Sequence, residues 1–302
     1  MTGYSERMAQ AIKAKRSPLV VGLDPRLESL PKNLSPLAGG DLQQQAEAYL
    51  QFCRGVIDAV ADIVPAVKPQ FAFFEELGPH GMAALKSATD YAVSQGLLVI
   101  GDGKRGDIGS TAIAYASAYL GQDSPWGMDS LTVNPYLGSD SLQPMVDIAR
   151  KRHAGLFFLV KTSNPGSGDL QDQNCEHGKI YQHVAKLVHG LCLQDDARTG
   201  PDGLTEIGAV VGATYPKQLA ELRKAMPKAW ILIPGFGAQG GTASDTAAAF
   251  LPSGLGAIVN SSRGIIFAFD PSDASANWTD AVRSAAITAS TQLRDATAAG
   301  NL

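Results

Sequence analysis

Eight short apolar segments alternate with longer helical patterns along the 302-residue chain. Each segment is rich in Val, Ile and Leu, which is typical of parallel strands that are buried on both faces. The predicted strands are Leu19–Leu23, Val64–Val67, Leu97–Gly101, Ser130–Val133, Leu156–Val160, Ile207–Val211, Trp230–Ile233 and Ala257–Val259. Between them, apolar residues that recur every three or four positions predict amphipathic helices, as over Leu42–Ile63.

This alternation predicts the α/β fold class and, because there are eight units, a (β/α)8 TIM barrel. No linker or shift in composition divides the chain, so we expect residues 1–302 to form a single domain. The helical pattern before the first strand is expected to close the bottom of the barrel. Residues 169–206 form a longer connection than usual, which we interpret as an insertion that holds one helix, Lys179–Leu193. An open, doubly wound sheet is the alternative architecture.

The composition narrows the choice of partners and of compartment. The formal net charge is −4, so we expect neither nucleic acid nor a membrane surface as a partner. No run of about 18 apolar residues predicts a membrane helix, and the N-terminal segment lacks the apolar core of a signal peptide. The three cysteines, Cys53, Cys175 and Cys192, are too few for a disulfide framework and favour a reducing, cytoplasmic location.

Polar residues follow the ends of the predicted strands. In a TIM barrel the catalytic residues lie at the C-terminal ends of the strands. The residues at these ends are Asp24, Lys68, Asp102, Lys104, Asn134, Lys161, Thr162, Ser163, the glycine-rich stretch 234–241 and Arg263. We therefore expect one site at one rim of the barrel, built from several strands.

The charges around the third strand are the strongest candidates for chemistry. Asp102 and Lys104 are two residues apart, so on a strand both side chains point to the same side. If Lys68 and Asp107 converge with them, the carboxylates favour protonated lysines, and Lys104 is held as an ammonium group that can donate a proton. The alternative is a solvated loop of salt bridges.

The stretch GFGAQG, residues 235–240, matches the GxGxxG pattern of dinucleotide sites. That pattern belongs in a first βαβ unit with an acidic residue about 20 positions later, whereas here it follows the seventh predicted strand and Leu255–Ser261 contains no acid. Loops after the seventh and eighth strands of a TIM barrel commonly bind phosphate. We interpret the stretch as a phosphate loop, with Arg263 as the bidentate cation. Plain turn glycines and a surface arginine are the alternative.

The patterns of metal and nucleophile chemistry are missing from the sequence. The five histidines show no metal-ligand spacing, and neither a GxSxG elbow nor a Ser-His-Asp order occurs. We therefore expect no metal ion and no cofactor.

The run DGKRGDIGST, which contains Asp102, Lys104, Asp107, Ile108 and Thr111, resembles the DxKxxDI signature of the orotidine 5'-phosphate decarboxylase family. Further motifs occur in the family's order and resemble especially its longer bacterial subfamily, type 2: VGLDPR, VKPQFAFFE, TVNPYLGSDSL, VKTSNPGS, IPGFGAQGG and VNSSRGI. The resemblance extends over nearly the whole chain. One departure is Ser262, which stands where shorter family members often have a glycine before the arginine.

The resemblance implies a homodimeric barrel with shared active sites that works without a metal or an organic cofactor. Its reaction would convert orotidine 5'-phosphate to UMP and CO2, the last step of de novo pyrimidine nucleotide synthesis. It implies that Lys104 donates a proton to the pyrimidine C6 and stabilises charge there, while Asp102 orients Lys104 and Lys68 joins the network. The binding roles that it implies are ribose for Asp24 and Lys68, the pyrimidine amide edge for Ser163, the base pocket for Pro234, phosphate for Gln239 and Arg263, and the neighbouring subunit's site for Asp107, Ile108 and Thr111.

Three alternative functions stay open on the residues alone. A Mg²⁺-dependent sugar-phosphate decarboxylase of the same superfamily shares the DxKxxD motif, and a Schiff-base aldolase would use Lys68 or Lys161. A nucleotide-binding module would use the phosphate loop without catalysis. Ser163 within TSNPGS favours the pyrimidine substrate, and a binding module has no need of Lys104 between two carboxylates.

Overall fold

The computed structural model describes residues 2–194, 199–237, 240–273 and 277–302. Its central element is a closed barrel of eight parallel strands, in which neighbours along the chain are paired and the last strand pairs with the first. The strands are β1 (Leu19–Leu23), β2 (Ala66–Pro69), β3 (Leu98–Arg105), β4 (Ser130–Val133), β5 (Gly155–Lys161), β6 (Ile207–Val211), β7 (Trp230–Ile233) and β8 (Ala257–Ser261). The predicted barrel and all eight predicted strands are confirmed.

Helices connect the strands and pack around the barrel. The α-helices are α1 (Tyr4–Lys15), α2 (Ser35–Ala38), α3 (Leu42–Val60), α4 (Phe71–Glu75), α5 (Gly78–Ser94), α6 (Gly109–Tyr119), α7 (Ser139–Lys151), α8 (Gly168–Gln171), α9 (Ile180–Leu193), α10 (Pro216–Ala225), α11 (Ala243–Thr246), α12 (Arg263–Ile266) and α13 (Trp278–Ala296). Short 3₁₀ turns lie at Leu27–Ser29, Lys32–Leu34, Pro165–Ser167, Pro201–Gly203, Ala247–Ala249 and Ala298–Asn301. Within the described ranges, no helix is long and apolar enough to cross a membrane.

The interior of the barrel is filled with side chains and is closed at the N-terminal ends of the strands. One buried cluster contains inward-facing residues of the strands together with a face of α1; its members include Val20, Ala66, Ile100, Phe157, Trp230, Ile258, Tyr4, Met8, Ala9 and Ile12. The Tyr4 ring meets Phe157 edge-on, with 6.0 Å between centroids, and Trp230 Nε1 donates to Ser5 Oγ at 2.8 Å. The expected closure of the bottom by the first helix is confirmed, which leaves the opposite end for a site.

Residues 169–206 contain most of α8, a small hairpin and α9. The hairpin pairs Asn174–Cys175 with Gly178–Lys179 in antiparallel fashion. α9 confirms the helix predicted within this segment, and it packs against both β5 and β6. It therefore occupies the place of the helix that connects two neighbouring strands of a βα barrel.

Candidate active site

A cavity of about 590 Å³ opens at the C-terminal ends of the strands. The predicted site residues that line it are Asp24, Lys68, Asp102, Lys104, Ser163, Pro234 and Arg263. Asp107, Ile108 and Thr111 are absent from its described lining, and Gln239 lies outside the described residues. The strand ends therefore meet at one rim, as the sequence predicts, but Asp107 does not join the charges of its own chain there.

β3 alternates between charged residues that face the cavity and small residues that face the surrounding helices. Asp102 and Lys104 line the cavity. A Cβ atom at Gly103 would lie 2.5 Å from the Phe71 ring, and one at Gly101 would lie 2.9 Å from the same ring. Glycine at both positions lets Phe71 pack against β3, which explains why glycines separate the charges.

Arg105 continues the outward face of β3. Its guanidinium carbon lies 5.3 Å from the ring centroid of Phe71, 5.8 Å from that of Tyr115 and 5.7 Å from that of Tyr119. The same group forms an ion pair with Glu75. Arg105 therefore stabilises the outside of the strand through cation–π contacts and is not part of the described cavity lining.

Asp102 is the centre of a hydrogen-bond network, and only 6% of its surface is exposed. Its Oδ2 atom accepts from Lys68 Nζ and, at 3.1 Å, from Gln70 Nε2. Its Oδ1 atom accepts from Lys104 Nζ at 2.6 Å and from Thr132 Oγ1 at 3.0 Å. Because each carboxylate oxygen has two donors, the orientation of Asp102 is fixed and Lys104 is held at the cavity.

The opposite charges of the network stabilise one another against burial. Burial opposes the ionisation of Asp102, but the attraction of Lys68 and then of Lys104 outweighs it and holds the pKa of this carboxyl well below its usual range. Burial also opposes the charge on Lys68, but Asp102 and then Asp24 raise the pKa of its ammonium group. A Schiff base requires a neutral amine, so Lys68 is unsuited to that chemistry.

Lys161, the second candidate for a Schiff base, is directed away from the cavity. The pairing of β5 with β6 shifts between Leu159 and Lys161, and the described lining of the cavity does not include Lys161. The fully buried Lys161 ammonium donates to Asp172 Oδ2 at 2.8 Å and lies 4.6 Å from the ring centroid of Tyr215. Its contacts therefore anchor the loop that follows β5.

Ser163 lies at the start of this anchored loop. The Thr162 amide donates to Gln171 Oε1 at 3.0 Å, and Gln171 Nε2 donates to Thr162 Oγ1 at 2.7 Å. On the side of β6, a Cβ atom at Gly212 would lie 2.8 Å from the Cβ atom of Ser163. The missing side chain at Gly212 lets the loop approach β6 and present Ser163 to the cavity.

The glycine-rich loop after β7 contributes the next part of the rim. Gly235 and Gly237 have φ angles of 95° and 78°, which lie in the left-handed region that favours glycine. The Gly241 amide donates to the Gly235 carbonyl at 3.1 Å and closes the turn. Pro234 and Gly235 line the cavity, and Arg263 at the start of α12 lines it from the side of β8.

The side chain of Ser262 is accommodated by a glycine in the neighbouring strand. A Cβ atom at Gly22 of β1 would collide with Ser262 Oγ. Ser262 Oγ instead accepts a hydrogen bond from Asn260 Nδ2 at 3.3 Å. The hydroxymethyl group at position 262 thus occupies space that Gly22 leaves free, and it lines the cavity beside Arg263.

The sequence patterns do not single out Gln70 and Thr132, although both donate hydrogen bonds to Asp102. A signal was available in the alternation of the strands, since residues two apart share a face. Gln70 stands two positions after Lys68, and Thr132 stands two positions before Asn134. Both were therefore identifiable as inward-facing, although their contact with Asp102 was not.

The donors of the cavity define what it can bind. It combines the ammonium groups of Lys68 and Lys104 and the guanidinium group of Arg263 with the carboxylates of Asp24 and Asp102. Among the residues that the structure describes, no group of three or more His, Cys, Asp or Glu side chains is arranged to hold a metal ion. Such a lining suits a small anionic ligand with several hydrogen-bonding groups.

Comparison with known proteins gives matches over the whole barrel. The sequence model of the orotidine 5'-phosphate decarboxylase / HUMPS family matches residues 17–277 of this chain, and these residues include all eight strands. The orotidine 5'-phosphate decarboxylase of Rhodopirellula baltica is 53% identical, over 97% of this chain and 100% of its own length. That of Caldicellulosiruptor bescii is 38% identical, over 89% of this chain and 91% of its own. The structure of Leishmania donovani OMP decarboxylase superposes with a TM-score of 0.76 at 33% identity and covers 98% of both chains.

Replacement of Asp102 by Asn should destabilise the fold, because the buried Lys68 would lose its hydrogen-bonded counter-charge, the stronger of the two charge interactions that stabilise it. We expect the free energy of unfolding at pH 7, measured with urea, to fall by roughly 3–5 kcal/mol. The pKa of Asp102 is lower in the folded protein than in the unfolded chain. Ionised Asp102 therefore stabilises the fold fully above the unfolded pKa of about 3.9, and this stabilisation is lost as the pH falls through the folded-state pKa. The difference in the free energy of unfolding between the parent and Asp102→Asn should therefore become smaller below about pH 4.

The matched control is Asp90→Asn, which alters an exposed pair with Lys86 on α5. That variant should change the free energy of unfolding by less than about 1 kcal/mol. An Asp102→Asn protein as stable as its parent at pH 7 would contradict the pairing of Asp102 with Lys68.

Proposed function

Because the chain belongs to the orotidine 5'-phosphate decarboxylase family, we propose that the network of Lys68, Asp102 and Lys104 is its catalytic machinery. The enzyme is a carboxy-lyase that removes CO2 from orotidine 5'-phosphate and forms UMP in pyrimidine nucleotide synthesis. The observation that carries the proposal is the 2.6 Å hydrogen bond from Lys104 Nζ to the buried Asp102, in a cavity whose lining also includes Lys68.

Lys104 meets the chief difficulty of the reaction. When the bond between C6 and the carboxylate breaks, CO2 leaves and the electron pair stays on C6, where no adjacent carbonyl delocalises it. The ammonium group of Lys104 stabilises this charge and donates its proton, so that a C6–H bond forms and a neutral amine is left. The Lys104 side chain is 45% exposed, so water can return the proton for the next turnover.

Asp102 and Lys68 act on Lys104 from the buried side of the site. Asp102 accepts a hydrogen bond from Lys104 Nζ and so directs this group toward the cavity, since the other donors hold the carboxylate in place. Lys68, which is buried against Asp102, fixes the carboxylate from the opposite side. Lys68 and Asp24 also bind the ribose hydroxyls, a role supported by the buried Asp24 Oδ1 atom, which has no hydrogen-bond partner among the described residues.

Lys104→Ala should lower kcat by at least about 10³-fold, because it removes both the proton donor and the local cation. The measurement is the loss of substrate absorbance with protein purified from a host that lacks its own decarboxylase. Lys86→Ala, on the exposed face of α5, is the matched control and should leave kcat unchanged. Turnover by Lys104→Ala within about tenfold of the parent would remove Lys104 from the mechanism.

The remaining rim residues bind the parts of the substrate that do not react. Ser163 is proposed to read the amide edge of the pyrimidine, and Pro234 to line the base pocket. Arg263 and Gln239 are proposed to hold the phosphate at the glycine-rich loop. The presence of both Arg263 and Gly235 in the cavity lining supports the phosphate role, since a guanidinium group binds phosphate in bidentate fashion.

Arg263→Ala should weaken the binding of UMP by at least about tenfold and that of uridine by less than about twofold, because only UMP carries the phosphate. Both dissociation constants can be measured by isothermal titration calorimetry. Arg283→Ala, which removes an exposed partner of Asp62, is the control and should leave both ligands unaffected. Equal weakening of UMP and uridine would place Arg263 away from the phosphate.

We propose that the protein is a homodimer with shared active sites. Asp107, Ile108 and Thr111 follow Lys104 closely in the chain but do not line their own cavity within the described residues. Large apolar side chains are exposed in the segments after β3 and β4, namely Ile108 (58%), Ile113 (45%), Tyr136 (75%) and Leu137 (48%). An apolar face of this kind suits a two-fold interface, across which the three residues reach the partner's site.

Mixed dimers test the sharing of sites. A Lys104→Ala chain paired with an Asp107→Ala chain builds one doubly defective site and one intact site in a two-fold dimer. Two inactive proteins should then complement each other, and random exchange of subunits should restore roughly a quarter of the parent activity.

The control is a demonstration by mass-tagged chains that mixed dimers form. Mixed dimers without regained activity would show that Asp107 acts within its own chain or that the sites are not shared.

The location and the ligands follow from the same properties. We propose a cytoplasmic enzyme, a location supported by the finding that Cys53, Cys175 and Cys192 form no disulfide within the described residues. The net charge of −4 supports partners other than nucleic acid or a membrane. The ligands are the small molecules orotidine 5'-phosphate and UMP.

A further inference from the structure

Thr132 on β4 forms hydrogen bonds with both Lys104 and Asp102, the two central residues of the network. Its side chain is buried, with 1% of the residue exposed, and the described lining of the cavity does not include it. Thr132 Oγ1 accepts a hydrogen bond from the Lys104 backbone amide at 2.9 Å. The same hydroxyl donates to Asp102 Oδ1 at 3.0 Å.

The direction of these two bonds is fixed by chemistry. A backbone amide can only donate and an ionised carboxylate can only accept, so the single hydroxyl proton of Thr132 goes to Asp102 and a lone pair receives the Lys104 amide. The Gly101 carbonyl, 3.5 Å away, is a longer contact for the same proton. Thr132 therefore has both of its main hydrogen-bonding functions used within the network.

The backbone at Lys104 needs such a partner. Lys104 has a φ angle of 46°, in the left-handed region that a residue with a side chain rarely adopts. The pairing of β3 with β4 is interrupted there, since Gly101 pairs with Leu131 and Arg105 pairs with Val133. The Lys104 amide is thus removed from the regular ladder, and the hydroxyl of Thr132 supplies the acceptor that the ladder does not.

We propose that Thr132 is a positioning residue that fixes the Lys104 backbone relative to the Asp102 carboxylate and so directs the Lys104 ammonium group toward the reacting carbon. The proposal rests on the proposed function, in which Lys104 is the proton donor. Thr132 is absent from the described lining of the cavity and acts only through these two residues. Its β-branched side chain has a restricted χ1 angle, which holds the hydroxyl between its two partners.

Paired substitutions separate the hydroxyl of Thr132 from its packing. Thr132→Val keeps the shape and removes both hydrogen bonds, whereas Thr132→Ser keeps the hydroxyl and removes a methyl group. Misplacement of a catalytic group by about 1 Å can cost about 100-fold in rate, so Thr132→Val should lower kcat by about 10- to 100-fold. KM and the affinity for UMP should change by less than about threefold, because no contact with the ligand is lost. Thr132→Ser should retain kcat within about threefold of the parent.

Ser130→Ala is the matched control, because Ser130 is a buried hydroxyl two residues earlier on the same strand. It should leave kcat and KM unchanged. Thr132→Ala is a second variant without the hydroxyl, for use if the valine variant does not fold. Failure of both to fold, with a folded serine variant, would make Thr132 a structural residue and would overturn the proposal.

Two other results would also overturn it. The first is a normal kcat in Thr132→Val. The second is an equal loss in Thr132→Val and Thr132→Ser, which would assign the effect to the methyl group. A failure of the proposed function can be distinguished from a failure of the Thr132 proposal. If Lys104→Ala is active, the proposed function is wrong. If Lys104→Ala is inactive but Thr132→Val has a normal kcat, only the positioning role of Thr132 is rejected.

Discussion

Asp102 is the constraint on which the whole site depends, because a carboxylate with 6% of its surface exposed is tolerated only when its charge is paired and its oxygens are hydrogen-bonded. The donors come from three neighbouring strands. Lys68 lies on β2 and Gln70 directly follows that strand, Lys104 lies on β3, and Thr132 lies on β4. Such a set exists only while the barrel is closed and its strands stay in register. The chemistry at the rim therefore rests on the packing of the interior below it, which α1 completes at the opposite end.

Four cations near the rim show how the fold assigns different roles to similar side chains. Lys68 and Lys104 face the inside of the barrel and share Asp102. Arg105 and Lys161 face the outside, where aromatic rings and the carboxylates of surrounding segments hold them. The inward pair lines the cavity, and the outward pair stabilises the strand ends and loops around it.

Much of the fold and of the candidate site was predictable from the sequence. The remaining features depend on contacts between residues that are distant in the sequence. Strands buried on both faces give continuous apolar runs, so all eight were identified, and alternation placed Asp102 and Lys104 on one side. The shift in pairing at Lys161 reverses what simple alternation suggests, and the hydrogen bonds of Thr132 depend on the left-handed backbone of Lys104. Two features stay predictions. One is the extent of the insertion within 169–206, and the other is the phosphate contact of Gln239, which lies outside the described residues.

The central claim is that Asp102 acts through Lys104 and not on the substrate itself. A double-mutant cycle tests it most directly, with kcat/KM measured for Asp102→Asn, Lys104→Ala and the protein that carries both changes. If the two residues form one unit, the double variant should be no more than about threefold less active than Lys104→Ala alone. If the two losses multiply, Asp102 contributes independently of Lys104, and the claim that it acts through Lys104 is contradicted.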